Sequence, residues 1–244
     1  MLNTPVSRGT AIRNSGTADT TVASFTPAAD CLLLAIVFID GLGDAVPDSV
    51  TGHGTWTEID RADTGGGDIH TASLWGCFPG SSPSAATVSS AYATSASMGL
   101  GVVEISGDID TSGSITDAFN EYKEQVTYGA AVSATLVTAP TDLTIGFFCR
   151  NGSLTTISQT AGKTATELFN KQFKYNGMNI TAEYLTAGAT THSASTESSS
   201  RYWVAYNVNI KDSPGGGGGG GTSRQSIKKA VPKSFSTSFK KVFK

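Results

Sequence analysis

Apolar residues recur along this chain either at every second position or in short unbroken runs, and clusters of Gly, Ser, Asp and Pro separate the runs. Both patterns have the length of β-strands rather than helices. In order they predict strands at Thr20–Thr26, Cys31–Ile39, Trp56–Arg61, Ala72–Phe78, Ala86–Tyr92, Met98–Ser106, Val132–Thr138, Leu143–Cys149, Met178–Tyr184 and Arg201–Lys211. In the last of these, Tyr202, Val204, Tyr206, Val208 and Ile210 share one face, and Trp203, Ala205, Asn207 and Asn209 share the other. The first face is apolar enough to be core and the second can meet solvent or a neighbour, as in an antiparallel sandwich. Cys31–Ile39 and Leu143–Cys149 are apolar on both faces and read as central strands.

Two stretches are rich in helix formers, Ile115–Val126 and Thr164–Phe173, and each is expected to be a loop or a helix of one to three turns between strands. The expected fold is therefore all-β: an antiparallel, jelly-roll-like β-sandwich of about ten strands with a flexible C-terminal extension. The expected organisation is a sandwich domain over residues 1–213, a poly-glycine tether over 214–221 and a basic amphipathic tail over 222–244. Seven consecutive glycines, Gly215 to Gly221, make the tether, since glycine loses the most backbone freedom on ordering.

Composition agrees with this reading. The 244 residues suit one large or two small domains. Ser and Thr outnumber the charged residues, as short strands with polar turns require. The longest apolar run, Cys31 to Ile39, is far short of the ~20 residues that span a bilayer. The first residues lack the apolar core of a secretory leader, which points to synthesis in a cytoplasm. Cys31, Cys77 and Cys149 are an odd number in apolar segments and read as buried free thiols, which suits assembly in a reducing compartment.

The net charge of −3 conceals a partition. All twenty acids lie at or before Asp212 with ten of the basic residues, a net −10; the seven remaining basic residues follow Gly221 with no acid among them, +7. In the tail, Phe235, Phe239, Val242 and Phe243 fall on one stripe of a helical wheel, with Lys240, Lys241 and Lys244 largely off it. Together with Lys228, Lys229 and Lys233 they are the expected partner-binding residues, with the Phe rings as anchors in a partner's pockets. Trp203 is a possible interface residue, because its face of the last strand needs cover; self-association is expected for that reason.

No G-x-S-x-G, P-loop, H-E-x-x-H or C-x-x-C element is present, and no catalytic residue, cofactor or metal is expected. His53, His70 and His192 lie in Gly/Ser/Thr-rich segments and read as solvated loop residues. The stretch Asp108–Gly113 begins like a calcium loop, but its twelfth position is Phe119, so a polar turn is expected instead. Asp40, Asp44, Asp48, Asp60, Asp63 and Asp68 read as loop acids rather than a glycosidase pair. Asn151-Gly152-Ser153 and Asn179-Ile180-Thr181 match glycosylation acceptors, and Trp56, Trp75 and Trp203 could together stack on sugars, but core or interface placement is the plainer reading.

Taken in order, the strands resemble the β-sandwich structural proteins of tailed-phage virions: capsid decoration or cement proteins, head fibres and minor tail proteins. The resemblance rests on a Ser/Thr-rich first strand, Thr26-Pro27-Ala28-Ala29-Asp30 leading into Leu32–Val37, Gly54–Ile59, Ala72–Cys77, Gly101–Gly107, Leu143–Phe148 and the closing Tyr202–Lys211, and covers roughly residues 14–211. The family often has Gly-Asp where this chain has Ala29-Asp30, and Gly-Trp where it has Thr55-Trp56. It implies a non-enzymatic structural role in a virion assembled in the host cytoplasm, with the major capsid protein or another virion protein as partner. The charged tail would latch the sandwich to that partner; the acidic sandwich should not bind nucleic acid, and membrane contact by the tail is not expected. The rival expectations are a tail-fibre or head-fibre module that binds host glycans, and a polysaccharide-degrading enzyme.

Overall fold

A computed structural model describes residues 1–40, 47–64, 70–137, 143–151, 158–159, 165–173, 177–186, 191–195 and 201–212. The chain is an all-β, antiparallel sandwich. All ten expected strands are present, with six more among the described residues.

The first half contributes β1 (Val6–Arg13), β2 (Thr20–Phe25), β3 (Leu32–Asp40), β4 (Ser49–Thr51), β5 (Trp56–Asp63), β6 (His70–Cys77), β7 (Ala86–Ala91) and β8 (Ser97–Ile105). The second contributes β9 (Phe119–Gly129), β10 (Ala131–Thr135), β11 (Thr144–Arg150), β12 (Ser158–Gln159), β13 (Thr166–Phe173), β14 (Met178–Leu185), β15 (Thr191–Ser195) and β16 (Arg201–Ile210). In the first half the sheets run β1-β8-β3-β6-β5 and β2-β7-β4; in the second, β9-β16-β11-β14-β13 and β10-β15-β12. Adding eight to each strand number converts the first pair of sheets into the second, so the body is a duplication of one jelly-roll-like unit. Irregularities repeat too: β5 bulges between Glu58 and Asp60, and β13 between Glu167 and Phe169, each beside the equivalent residue of its partner strand, Trp75 or Glu183.

The four sheets stack as layers of three, five, five and three strands. The two five-stranded sheets face each other, and the largest core lies between them: Leu32, Leu34, Ile36 and Phe38 of β3 meet Ile145, Phe147 and Cys149 of β11, with Val204, Tyr206, Val208 and Ile210 of β16. Each large apolar side chain sealed there stabilises the fold by roughly 1.5–3 kcal/mol relative to exposure. The opposite face of β3, with Leu33, Ala35, Val37 and Ile39, packs with Met98, Leu100 and Val102 against Val22, Val50 and Val88 of the first three-stranded sheet. That is why β3 is apolar on both faces. A smaller cluster, Phe148, Trp203, Ala205, Val132, Ala134 and Ala194, joins the second five-stranded sheet to its own cover.

The expectations of loops or short helices at Ile115–Val126 and Thr164–Phe173 are corrected. A single 3-10 turn, Ile115–Ala118, leads into β9, and Thr166–Phe173 is β13. In both, tertiary pairing overrides residues with modest helix preference: β9 lies along β16 over its whole length and β13 along β14. The turn is closed by Ser114 and Asp117, whose carboxylate accepts from the Ser114 backbone N–H and hydroxyl at 2.8 Å each.

Candidate functional site

The basic tail and its anchors, Lys228, Lys229, Lys233, Phe235, Phe239, Lys240, Lys241, Val242, Phe243 and Lys244, lie outside the described residues, as does the glycine tether. Their root does not. The Ile210 amide donates to the Leu143 carbonyl at 2.9 Å and the Lys211 amide to the Ala118 carbonyl at 2.8 Å, so the chain is held to the body up to that point. The Met1 amine pairs with Asp212 at 3.2 Å and with Asp108, and the carboxylates hold its pKa above the ordinary value.

The opposite end carries a different arrangement. Asp40 closes β3, His70 opens β6 directly opposite it, and Asn151 follows β11, the strand equivalent to β3. His70 Nδ1 lies 3.1 Å from Asp40 Oδ1, and its Nε2 bonds the Asn151 side-chain amide, so the ring ties the two halves together. Because β16 runs antiparallel to β11, residue 212 and the Asp40–His70–Asn151 bridge sit at opposite ends of strands some 25–30 Å long.

A third constellation lies inside, between β11, β14 and β15. Glu183 Oε1 is 2.7 Å from His192 Nδ1, and His192 Nε2 is 2.9 Å from Thr144 Oγ1. Glu183 and His192 are 0% exposed and Thr144 is 1% exposed. The first half carries a different polar contact: Arg8 grips buried Glu104 through two bonds of 2.8 and 2.9 Å and lies over the Phe25 ring.

The histidines thus correct the sequence reading. His70 and His192 are buried in strands, and His53 packs on Phe25 with ring centroids 4.4 Å apart and the rings tilted by 42°; burial pushes its pKa below the usual value. The segment Thr191–Ser195 reads as a turn in the sequence because its residues are polar or small, and its inward pair, His192 and Ala194, includes no large apolar side chain. Trp203 is corrected as well. It is 0% exposed, its Nε1 donates to the Gly129 carbonyl at 3.1 Å, and Arg150 lies over its ring, so its face is covered within the chain and needs no second copy.

Nor do the three tryptophans make a platform. Trp56 and Trp75 pack on the apolar layer of the first half, whereas Trp203 belongs to the outer layer of the second. Asn179 is 7% exposed and donates to Asn170 at 2.8 Å, which places it inside the fold rather than in a glycan-bearing loop. The Asp108–Gly113 stretch is a polar turn, with Asp110 accepting from the Ser112 amide and hydroxyl at 3.1 and 2.5 Å.

All three cysteines are buried and free. Burial pushes the Cys31 thiol up to about 12 and Cys77 up to about 11, and raises Cys149 as well. Of the early acids, Asp48 accepts from the Ala93 amide at 2.8 Å and Asp63 from the Thr71 hydroxyl at 2.6 Å; Asp44 and Asp68 lie outside the described residues. At the seam between β5 and β9, burial and the charge of Asp60 raise the pKa of Glu124, and burial raises Tyr122 beside them. Among the described residues, no group of three or more His, Cys, Asp or Glu is placed to hold a metal ion. Comparison of the chain with protein-family models, with curated proteins and with solved structures gave no match.

Proposed function

We propose that the chain is a non-enzymatic structural protein of a phage virion, most specifically a capsid decoration protein. Its body decorates the shell, and residues 222–244 latch onto an acidic surface of the major capsid protein or another virion protein. The observation that carries this reading is the separation of ends. A doubly stacked, net acidic body releases the chain at Asp212, beside Met1, so the +7 segment leaves from one pole while the Asp40–His70–Asn151 bridge marks the other. A tether of seven glycines gives the tail a reach on the order of 15 Å root-mean-square, which raises its effective concentration at a neighbouring surface. The apolar stripe of the tail supplies anchors, and its lysines supply attraction that salt weakens.

The test is co-sedimentation with capsids. The full chain should bind, less tightly as salt rises, and a chain ending at Ser213 should lose most of that binding. Equal binding by both would remove the latch from the account.

A second reading, a fibre module for host glycans, is favoured by one feature. Both outer faces carry cross-strand hydroxyl pairs, Thr21 with Ser89 at 2.8 Å and Thr135 with Thr191 at 2.9 Å. Glycan binding by a chain ending at Ser213, with no affinity for capsids, would favour it.

A further inference from the structure

We propose that Thr144 and Asn209 form an intramolecular ester cross-link between β11 and β16, made by the Glu183–His192–Thr144 relay. The inference does not rest on the proposed function.

The relay has the parts of an activated nucleophile: a hydroxyl, a base within hydrogen-bond reach and a carboxylate that orients the base. With its Nδ1–H donating to Glu183 Oε1 at 2.7 Å, the tautomer that an acceptor-only carboxylate selects, His192 turns its Nε2 lone pair to Thr144 Oγ1 at 2.9 Å. The ring rests on bare backbone: a Cβ at Gly146 would stand 2.6 Å from ring atoms of His192, so glycine is what lets the base come this close to β11. Yet Thr144 is 1% exposed beneath β15, so no external substrate reaches it in this structure. The acyl group it can meet belongs to the chain itself.

Register supplies that group. Thr144 is directly opposite Asn209 in the β11–β16 ladder. The neighbouring pair, Leu143 and Ile210, takes the ladder hydrogen bond, Ile210 amide to Leu143 carbonyl at 2.9 Å. Thr144 and Asn209 are therefore a non-hydrogen-bonded pair, the kind in which Cα atoms are about 4.5 Å apart and side chains come closest. Both point into the same buried layer; Asn209 is 2% exposed, and its Oδ1 accepts no hydrogen bond from the described residues.

In the proposed step Thr144 Oγ1 attacks Asn209 Cγ while His192 Nε2 takes the hydroxyl proton. The tetrahedral intermediate collapses with cleavage of the Cγ–Nδ2 bond, His192 returns the proton to the departing nitrogen, and ammonia leaves. The product is a Thr144 Oγ1–Asn209 Cγ ester; no oxidant or co-reactant is consumed. Fixed proximity favours the reaction, and exclusion of water protects the ester.

Intact-mass measurement of the full chain tests this. The expected mass is about 17 Da, one ammonia, below that of the 25.1 kDa sequence, with fragment spectra joining the Thr144 and Asn209 peptides. Hydroxylamine on the denatured protein should sever the link and leave a hydroxamate at Asn209, a readout that needs no variant. Thr144→Ser should retain the loss, and Thr144→Val should abolish it. The full sequence mass in aged native protein, or a 17 Da deficit (about one ammonia) that persists in Thr144→Val, would overturn the proposal.

Discussion

Two glycines of β8 decide how closely the halves approach. A Cβ at Gly101 would stand 2.3 Å from the Phe169 ring and one at Gly99 2.5 Å from the Phe173 ring, so both rings of β13 sit flat on the β8 backbone. Gly101→Ala is expected to destabilise the chain by about 1–3 kcal/mol through overpacking, measured by denaturant unfolding, and Phe169→Leu in the same chain should recover part of the loss. The thiols give a second expectation at this scale. With Cys31 and Cys77 raised to about 12 and 11 by burial, a thiol reagent at pH 8 should label the native chain slowly and label all three cysteines once it is unfolded. Glu124 gives a third. Its folded pKa is raised, so the folded state holds the proton more tightly, and stability contributed by Glu124 grows as pH falls through that folded value and is absent at neutral pH. Glu124→Gln should raise Tm at pH 7, with the advantage vanishing near pH 4.

At the scale of elements, most strands with apolar alternation or a continuous apolar run were legible in the sequence; β13, whose buried Phe169 and Phe173 are four apart as on one face of a helix, and strands whose inward residues are few, small or polar were not. β15 buries only His192 and Ala194, and β1 alternates poorly because Gly9 interrupts it at a bulge. β9 carries Glu, Lys and Gln on an edge strand, where charge discourages pairing with other chains, and so reads like a helix. The duplication had a faint signature: Thr26–Gly41, TPAADCLLLAIVFIDG, against Ala139–Gly152, APTDLTIGFFCRNG. What hid it is the divergence of facing positions. Gly101 of β8 corresponds to Tyr206 of β16, and apolar Trp75 to Glu183 of the buried relay. That divergence also hid the relay, since Thr144, Glu183 and His192 lie on three different strands and share no local motif.

The whole molecule is one body because its largest core is shared. Phe38 meets Phe173 edge to face at 6.3 Å, and the Tyr206 hydroxyl donates to the Ala72 carbonyl at 2.9 Å, each across the seam. Residues 1–117 expressed alone would expose Leu34, Ile36 and Phe38 and are expected to aggregate or lack cooperative unfolding, whereas 1–213 should unfold in one transition followed by circular dichroism. The charge partition belongs to this scale as well: a body at −10 and a segment at +7, joined by glycines, are the basis of the proposed latch, in which the two would meet adjacent surfaces of a partner. The most direct measurement of that claim is the heat survival of capsids that carry the full chain, a chain ending at Ser213, or neither. Only the full chain should raise the temperature at which the shells open; equal protection by the chain ending at Ser213 would rule out the latch.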